Sequence, residues 1–246
     1  MADRGLFDMH CHIVPLVDDG AQSLKEAFAM LQMEYEQGVR KIIVTPHFRR
    51  EMFETSPEIV KKHFLVLRRL AEKIGPDLKV FLGCEFHANV EMLEYLHADR
   101  VYSMAGSRYV LTEFSASTEE KYIRDRIYEL LSSGYKPIVA HIERYKCMKD
   151  IELVEYLVNK GAYMQVNADS VIGKNGHGVK KYCGKLLEDE LVQFIGSDCH
   201  GSKRRVTRIG DAYAYVSKKF GRQAADEIFI DNPQEILDNA KHCLSL

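Results

Sequence analysis

With 246 residues, 46% of them apolar, the chain has length and apolar mass for one α/β barrel or two small domains. Its 34 basic and 36 acidic residues give a formal net charge of −2, which argues against a general nucleic-acid or membrane-surface binder and leaves room for a local basic cluster. No apolar run approaches the ~20 residues of a membrane-spanning helix, Met1-Ala2-Asp3-Arg4 lacks the basic-then-apolar pattern of a signal peptide, and six cysteines without paired spacing fit free thiols in a reducing cytoplasm.

The elements follow a regular order. Strand one is expected at Leu6–His10, followed by a capping box of Ser23 and Glu26 and a helix to about Gln37, with Gly38 as its stop. Lys41–Thr45 reads as a buried strand broken by Pro46, and Ser56-Pro57-Glu58 opens a helix that ends near Gly75-Pro76. Lys79–Gly83 is strand three, with a short helix over Val90–Leu96, and Tyr109–Thr112 is strand four. Ser117 and Glu120 form another capping box, for a helix that stops at Gly134. Lys136–Ala140 is strand five, Ile151–Lys160 a helix, and Tyr163–Val166 strand six. Ala168–Gly178 reads as a polar, glycine-rich loop before a helix over Val179–Glu190. Val192–Gly196 is strand seven, and the last helix starts at Asn232-Pro233. No repeat, low-complexity tract or linker interrupts the chain, so one domain over residues 1–246 is expected. Seven strands alternating with helices imply parallel βαβ units, in a barrel with its site on one rim or in an open doubly wound sheet.

The strand ends carry the chemistry. Strand one delivers His10 and His12, two residues apart and so able to share a face, with Asp18-Asp19-Gly20 on the following loop. Strand two delivers His47, strand three Glu85, strand four Glu113, strand five His141, and strand seven Asp198 and His200. Six of seven strands thus end in nitrogen or oxygen ligand types, a coincidence that scattered loop charges do not produce. Imidazole with carboxylate suits Mn, Fe, Zn or Co. Nine candidate ligands exceed the needs of one ion, so two or three ions bridged by a carboxylate are expected. Asp18 and Asp19 compete for one place, and Asp19 is preferred. Asp8 is suited to orient an imidazole. His63, His97 and His242 fall on helices, His177 in a solvated loop, and His87 is the weaker neighbour of Glu85.

Arg144, just past strand five, and Arg205, after Lys203-Arg204, offer guanidinium forks to phosphate. The loop of His47, Arg49 and Phe53 suits an aryl phosphate. Cys199 and Arg205 have the Cys-x5-Arg spacing of thiol-dependent tyrosine phosphatases, but the intervening segment lacks the glycine-rich turn such a loop needs.

These strand ends resemble the polymerase-and-histidinol-phosphatase (PHP) superfamily. Val17-Asp18-Asp19-Gly20, Thr112-Glu113-Phe114, Ala140-His141-Ile142-Glu143-Arg144-Tyr145, Gln165-Val166-Asn167 and Ile230-Asp231-Asn232-Pro233 further resemble its bacterial metal-dependent protein-tyrosine phosphatases of capsule and exopolysaccharide loci. The resemblance covers essentially the whole chain. It implies a distorted (β/α)7 TIM-like barrel and a manganese-preferring trinuclear centre. His10, His12, Glu85 and Asp198 would hold one ion, Glu85, Glu113 and His141 a second, and Asp19, His47 and His200 a third. Arg144 and Arg205 would contact phosphate. The implied partner is the phosphorylated, tyrosine-rich tail of a bacterial tyrosine kinase, and the expected step is in-line attack of a metal-bridged hydroxide. Hydrolysis of a small monoester such as histidinol phosphate, or metal-dependent binding without turnover, are the rival readings.

Overall fold

The computed structural model describes residues 4–243, with the side chains of 241–243 left out, so the readings of Met1 to Asp3 and of His242 lie outside the described residues. Among the described residues nine strands form, all paired in parallel: β1 (Leu6–Asp8), β2 (Val39–Val44), β3 (His47–Phe48), β4 (Lys79–Leu82), β5 (Glu85–His87), β6 (Tyr109–Glu113), β7 (Lys136–Val139), β8 (Tyr163–Asn167) and β9 (Phe194–Gly196). Two of the expected strands are each followed by a further short strand, β3 and β5, that was not expected. Pro46, with no N–H to give a ladder, separates β2 from β3, and Gly83-Cys84 separates β4 from β5.

One sheet has the order β1-β2-β4 and the other β3-β5-β6-β7-β8-β9. Residues just past β1 join them: Asp198 N–H donates to His10 O at 2.8 Å, His12 N–H to Cys199 O at 2.9 Å, and Thr45 N–H to Cys11 O at 2.9 Å. The chain is therefore an α/β protein whose curled parallel sheet makes the expected distorted barrel, not an open doubly wound sheet. Side chains alternate along the strands. Phe7, Ile43, Tyr109, Leu111, Ile138 and Phe194 turn inward as the barrel floor, while Ile42, Val44, Val110, Val139 and Ile195 face the helices.

The helices lie between strands. Ser23 caps α1 (Leu24–Glu36) through Glu26 N–H at 3.1 Å, but the Glu26 carboxylate reaches Gln22 N–H instead of closing the box on Ser23. Ser56 caps α2 (Pro57–Ile74), and α3 covers Met92–His97. The box at Ser117 and Glu120 does not form. A turn from Ser115 to Thr118 takes up that stretch, and α4 (Glu120–Ser132) starts from Glu119 without a side-chain cap. Asp150 caps α5 (Ile151–Asn159).

The loop expected at Ala168–Gly178 instead holds a short helix, α6 (Ala168–Ile172), and the start of α7 (His177–Glu188). Burial of Ala168 and Val171 outweighs the weak local preference of that stretch. After α8 (Ile209–Phe220), α9 (Arg222–Asp226) runs through a π-helical turn at Glu227–Asp231 into α10 (Asn232–Cys243). The last α-helix thus begins at Asn232 as expected, but it follows the π-helical turn without a break in the chain's helical path. Ile236 and Leu237 of α10 pack on the barrel floor. No helix among the described residues is long and apolar enough to cross a membrane.

Candidate metal centre

β1 stops at Asp8, two residues earlier than expected. Met9 still points to the floor, and the chain then bends at His10, so strict alternation ends there. The bend places both His10 and His12 above the floor. Gly196 makes room for it, since a Cβ there would lie 2.6 Å from His10 Cβ. Three expected site residues adopt left-handed backbone: His141 (φ 33°), Asp198 (φ 52°) and Arg205 (φ 48°). Such conformations cost about 1–3 kcal/mol each and persist where surrounding bonds hold them. Here Arg144 N–H donates to His141 O, Asp198 N–H to His10 O, and His200 N–H to Arg205 O.

Glu85 is the centre of the cluster. His10 Nε2, His12 Nε2 and His47 Nδ1 each lie 3.1 Å from its Oε2, and His141 Nε2 lies 2.7 Å from its Oε1. Glu113 flanks this group, with Oε1 3.7 Å from His141 Nε2 and Oε2 4.0 Å from His47 Nδ1. Asp198 Oδ1 lies 3.7 Å from His10 Nε2 and 3.6 Å from His12 Nε2. Asp19 Oδ1 is 3.6 Å from His47 Nε2 and 3.5 Å from His200 Nε2.

Among the described residues three groups of donors at the rim are close enough to share an ion: His10, His12, Glu85 and Asp198; His12, Asp19, His47 and His200; and His47, Glu85 and Glu113; a fourth, Asp8, Glu34 and Cys199, lies below it. The first has the membership expected from the sequence. In the third, His47 stands with the two glutamates where His141 was expected, although His141 also touches both of them.

Four of the rings are held by one nitrogen and present the other. His12 Nδ1 bonds Asp18 Oδ2 at 2.8 Å, His10 Nδ1 bonds Gln165 Oε1 at 3.1 Å, His141 Nδ1 meets Tyr145 OH at 3.2 Å, and His200 Nδ1 meets Asp198 O at 3.0 Å. Their Nε2 atoms are left for a ligand. This separates the two aspartates. Asp18 is buried and also accepts the His47 N–H, while Asp19 reaches into the mouth between His47 and His200.

Asp8 does not orient an imidazole as expected. It points below the rim to Ser197 and the His10 N–H, beside the buried Glu34. Gln165 takes that part: its Oε1 also accepts the His141 N–H at 2.7 Å, and its Nε2 donates to Asn167 Oδ1, whose Nδ2 donates to Asp198. Gln165, Asn167 and Tyr145 went unassigned from sequence. A glutamine inside the buried strand Tyr163–Asn167 was the available signal, because a buried amide needs partners.

Arg144 and Arg205 converge on Asp198, Arg144 on Oδ2 and Arg205 on Oδ1 at 3.0 Å. Arg204 is exposed and makes no such contact. Phe53 stacks on His47 with ring centroids 5.2 Å apart, and Arg49 stands near His87. His87 bonds Ser115 and lies outside the donor groups, His63 bonds Pro15 O, His97 stacks near Tyr135, and His177 is an exposed helix-start residue. Cys11 and Cys199 face away from the ligands. The Cys199 thiol is buried, with Sγ 3.5 Å from Glu34 Oε1, so it is not presented to a phosphate held by Arg205.

The residues fit a divalent cation. Glu85 Oε2 and His200 Nε2 are buried without a well-aligned hydrogen bond, and three imidazole nitrogens crowd one carboxylate oxygen. Burial, then the Glu85 charge, pushes the Glu113 carboxyl up to about 8. Burial, then the His12 charge, lowers His47 to about 4 and His200 to about 2. Glu113 is therefore protonated at neutral pH without metal. Its contribution to the metal-free fold is full below the ordinary carboxylate pKa and is lost as pH rises through about 8. A cation must displace that proton. Divalent-metal affinity should strengthen as pH rises from about 6 towards 8, and calorimetry in two buffers of different ionisation enthalpy should show proton release near pH 7; metal binding with no release contradicts this.

Nitrogen and oxygen donors gathered at an open rim, with guanidinium groups beside them, define a metal-dependent hydrolase on an α/β barrel. Residues 6–238 match the family described as capsular polysaccharide synthesis, CpsB/CapC. The chain is 37% identical over 238 residues to the tyrosine-protein phosphatase CpsB of Streptococcus pneumoniae, covering 94% of this chain and 98% of that one. It is 31% identical over 219 residues to the tyrosine-protein phosphatase YwqE of Bacillus subtilis, covering 89% and 86%. A solved structure from work on YwqE of B. subtilis and CpsB of S. pneumoniae, described as unique metal-dependent tyrosine phosphatases, superposes with a TM-score of 0.82 at 30% identity, covering 97% of this chain and 94% of that one. The chain belongs to the CpsB/CapC family of metal-dependent tyrosine phosphatases, and the resemblance seen in its motifs is borne out.

Proposed function

We propose that the chain is one phosphatase domain that hydrolyses phosphotyrosine, with the tyrosine-rich tail of a bacterial tyrosine kinase in capsule or exopolysaccharide synthesis as its substrate, in the cytoplasm. The observation that carries this reading is the convergence of Arg144 and Arg205 on Asp198, a carboxylate that also faces His10 and His12. Cation charge and guanidinium forks thus meet at one place, as a phosphoryl dianion requires. His10, His12, Glu85 and Asp198 would hold one manganese ion, Glu85, Glu113 and His141 a second, and Asp19, His47 and His200 a third. When bound, the metal supplies the charge that makes water a nucleophile near neutral pH and offsets charge on phosphoryl oxygens. Arg144 and Arg205 orient the phosphoryl group. Phe53 and Arg49 line the side taken by the aryl group. Tyrosinate, with an unperturbed pKa of about 10, leaves with little acid help.

Chelation should abolish turnover of a phosphotyrosyl peptide, Mn²⁺ should restore it, and Cys199→Ser should keep the wild-type rate within about twofold. Elemental analysis of the purified protein should find the metal. Full activity in chelator together with loss in Cys199→Ser overturns the proposal. A higher kcat/KM for histidinol phosphate than for the peptide moves it to small monoesters.

A further inference from the structure

The mouth above the cluster is lined unevenly. The loops after β1, β3 and β5 carry Leu16, Met52 and Val90, whose exposures are 58%, 60% and 71%. These are strand-to-helix loops, so they open on the rim that carries the candidate ligands. They are tied to one another: Thr55 Oγ1 donates to Val17 O at 2.8 Å, and Arg50 pairs with Glu91. Leu16 has φ 62° and Glu51, next to Met52, φ 63°. Left-handed backbone is costly for a leucine, and here it holds an apolar side chain out in water. Leu16 N–H closes the turn around Asp18 and Asp19 on Ala21 O at 2.9 Å, which fixes its backbone but leaves its side chain uncovered, where a ligand crossing the mouth would bury it. The charged residues of these loops are of both signs, with Arg50 paired to Glu91, whereas the remaining arc of the rim is basic. The loops after β7 and β9 carry exposed Arg144, Lys146, Lys203, Arg204 and Arg205.

We propose that this division selects the residues beside the phosphotyrosine: an apolar side chain on one flank, resting on Leu16, Met52 and Val90, and an acidic one on the other, facing Lys146, Lys203 and Arg204. The inference rests on the phosphatase reading and adds the class of peptide. The backbone bridge between Cys11 and Cys199 sets the loop after β9 beside the loop after β1, so a chain whose phosphoryl group is held at Arg205 has the apolar arc on one side and the rest of the basic arc on the other. The apolar flank removes surface from water, and the acidic flank gains a salt-sensitive attraction.

The test compares metal-loaded protein on phosphotyrosyl peptides with Leu on one flank and Asp on the other, in both orders, on a peptide with Ser on both flanks, and on p-nitrophenyl phosphate, which has no flanks. One Leu/Asp order is expected to exceed the Ser peptide about tenfold in kcat/KM, mainly through KM. The L16N/M52S/V90S variant, in which Asn tolerates the left-handed backbone, should lose the apolar part of that preference and keep p-nitrophenyl phosphate turnover within about twofold. Equal rates on all peptides overturn the inference. So does an equal loss on p-nitrophenyl phosphate, or an unchanged preference in a variant that loses self-association by sedimentation, which makes the collar a contact between copies. Failure to hydrolyse any of these substrates removes the phosphatase reading instead. Fluorescence titration with the same peptides then still reads the collar as a tenfold difference in Kd, and no difference overturns it.

Discussion

Glu85→Gln protein should carry less bound metal than the wild type and hydrolyse a phosphotyrosyl peptide on the order of a thousandfold more slowly. The reason is geometric. Four imidazoles from three strand ends face this one buried carboxylate, at 2.7–3.1 Å. The amide keeps the shape but removes the charge, and its NH2 group turns a donor towards rings that present lone pairs. The remaining carboxylates do not replace it: Glu113 stands at the edge, Asp198 is already held by two arginines and Asn167, and Asp19 lies at the outer mouth. In the wild type, burial opposes charge on His10, and Glu85 with Asp198 outweighs it, raising its pKa. Without metal, the variant should therefore hold His10 neutral to lower pH. Elemental analysis, peptide turnover and circular dichroism read the three consequences. Wild-type metal content and rate in a folded variant exclude Glu85 from the centre.

Arg144→Ala should lower kcat/KM for the peptide by about 10²–10³-fold, the usual cost of removing one donor aimed at developing charge, with metal content unchanged. Asp198 keeps Arg205 and Asn167 as partners in that variant, so a candidate ligand stays in place while a phosphate contact is lost. Arg144→Lys should recover only part of the rate, because an ammonium cannot offer two parallel N–H groups. Arg204→Ala should stay within about twofold, because its side chain makes none of the Asp198 contacts that Arg205 makes. A large loss in Arg204→Ala with none in Arg205→Ala would reverse the assignment. Loss of metal in Arg144→Ala would make this arginine a prop for Asp198 and not a phosphate contact.

Much of this site was legible along the chain because parallel strands impose a rule. When every strand runs the same way, every strand end opens on one rim, so His10, His12, His47, Glu85, Glu113, His141, Asp198 and His200 needed only their place after an apolar run to be gathered. Asp19 and Arg205 were less certain. Each has a like-charged neighbour, and residue type does not say which of two adjacent side chains faces the mouth. The structure separates them: Asp18 turns in to His12 while Asp19 turns out, and the left-handed backbone at Arg205 aims its guanidinium at Asp198.

By itself, the sequence determined the alternating α/β order, the strand ends and the kind of ligand they carry, because hydrophobic period and capping chemistry are local properties. Some local signals were overridden by packing. The glycine-rich stretch after Asn167 became a helix because Ala168 and Val171 are buried, and the Ser117 box yielded to a turn. Only the tertiary structure decided the bend at His10, the space left by Gly196, and which nitrogen of each ring faces Glu85. Those depend on Gln165, Tyr145 and Asp18 reaching rings from other parts of the chain. A ring's orientation is set by what holds its far nitrogen, and that partner exists only once the barrel has brought the strands together.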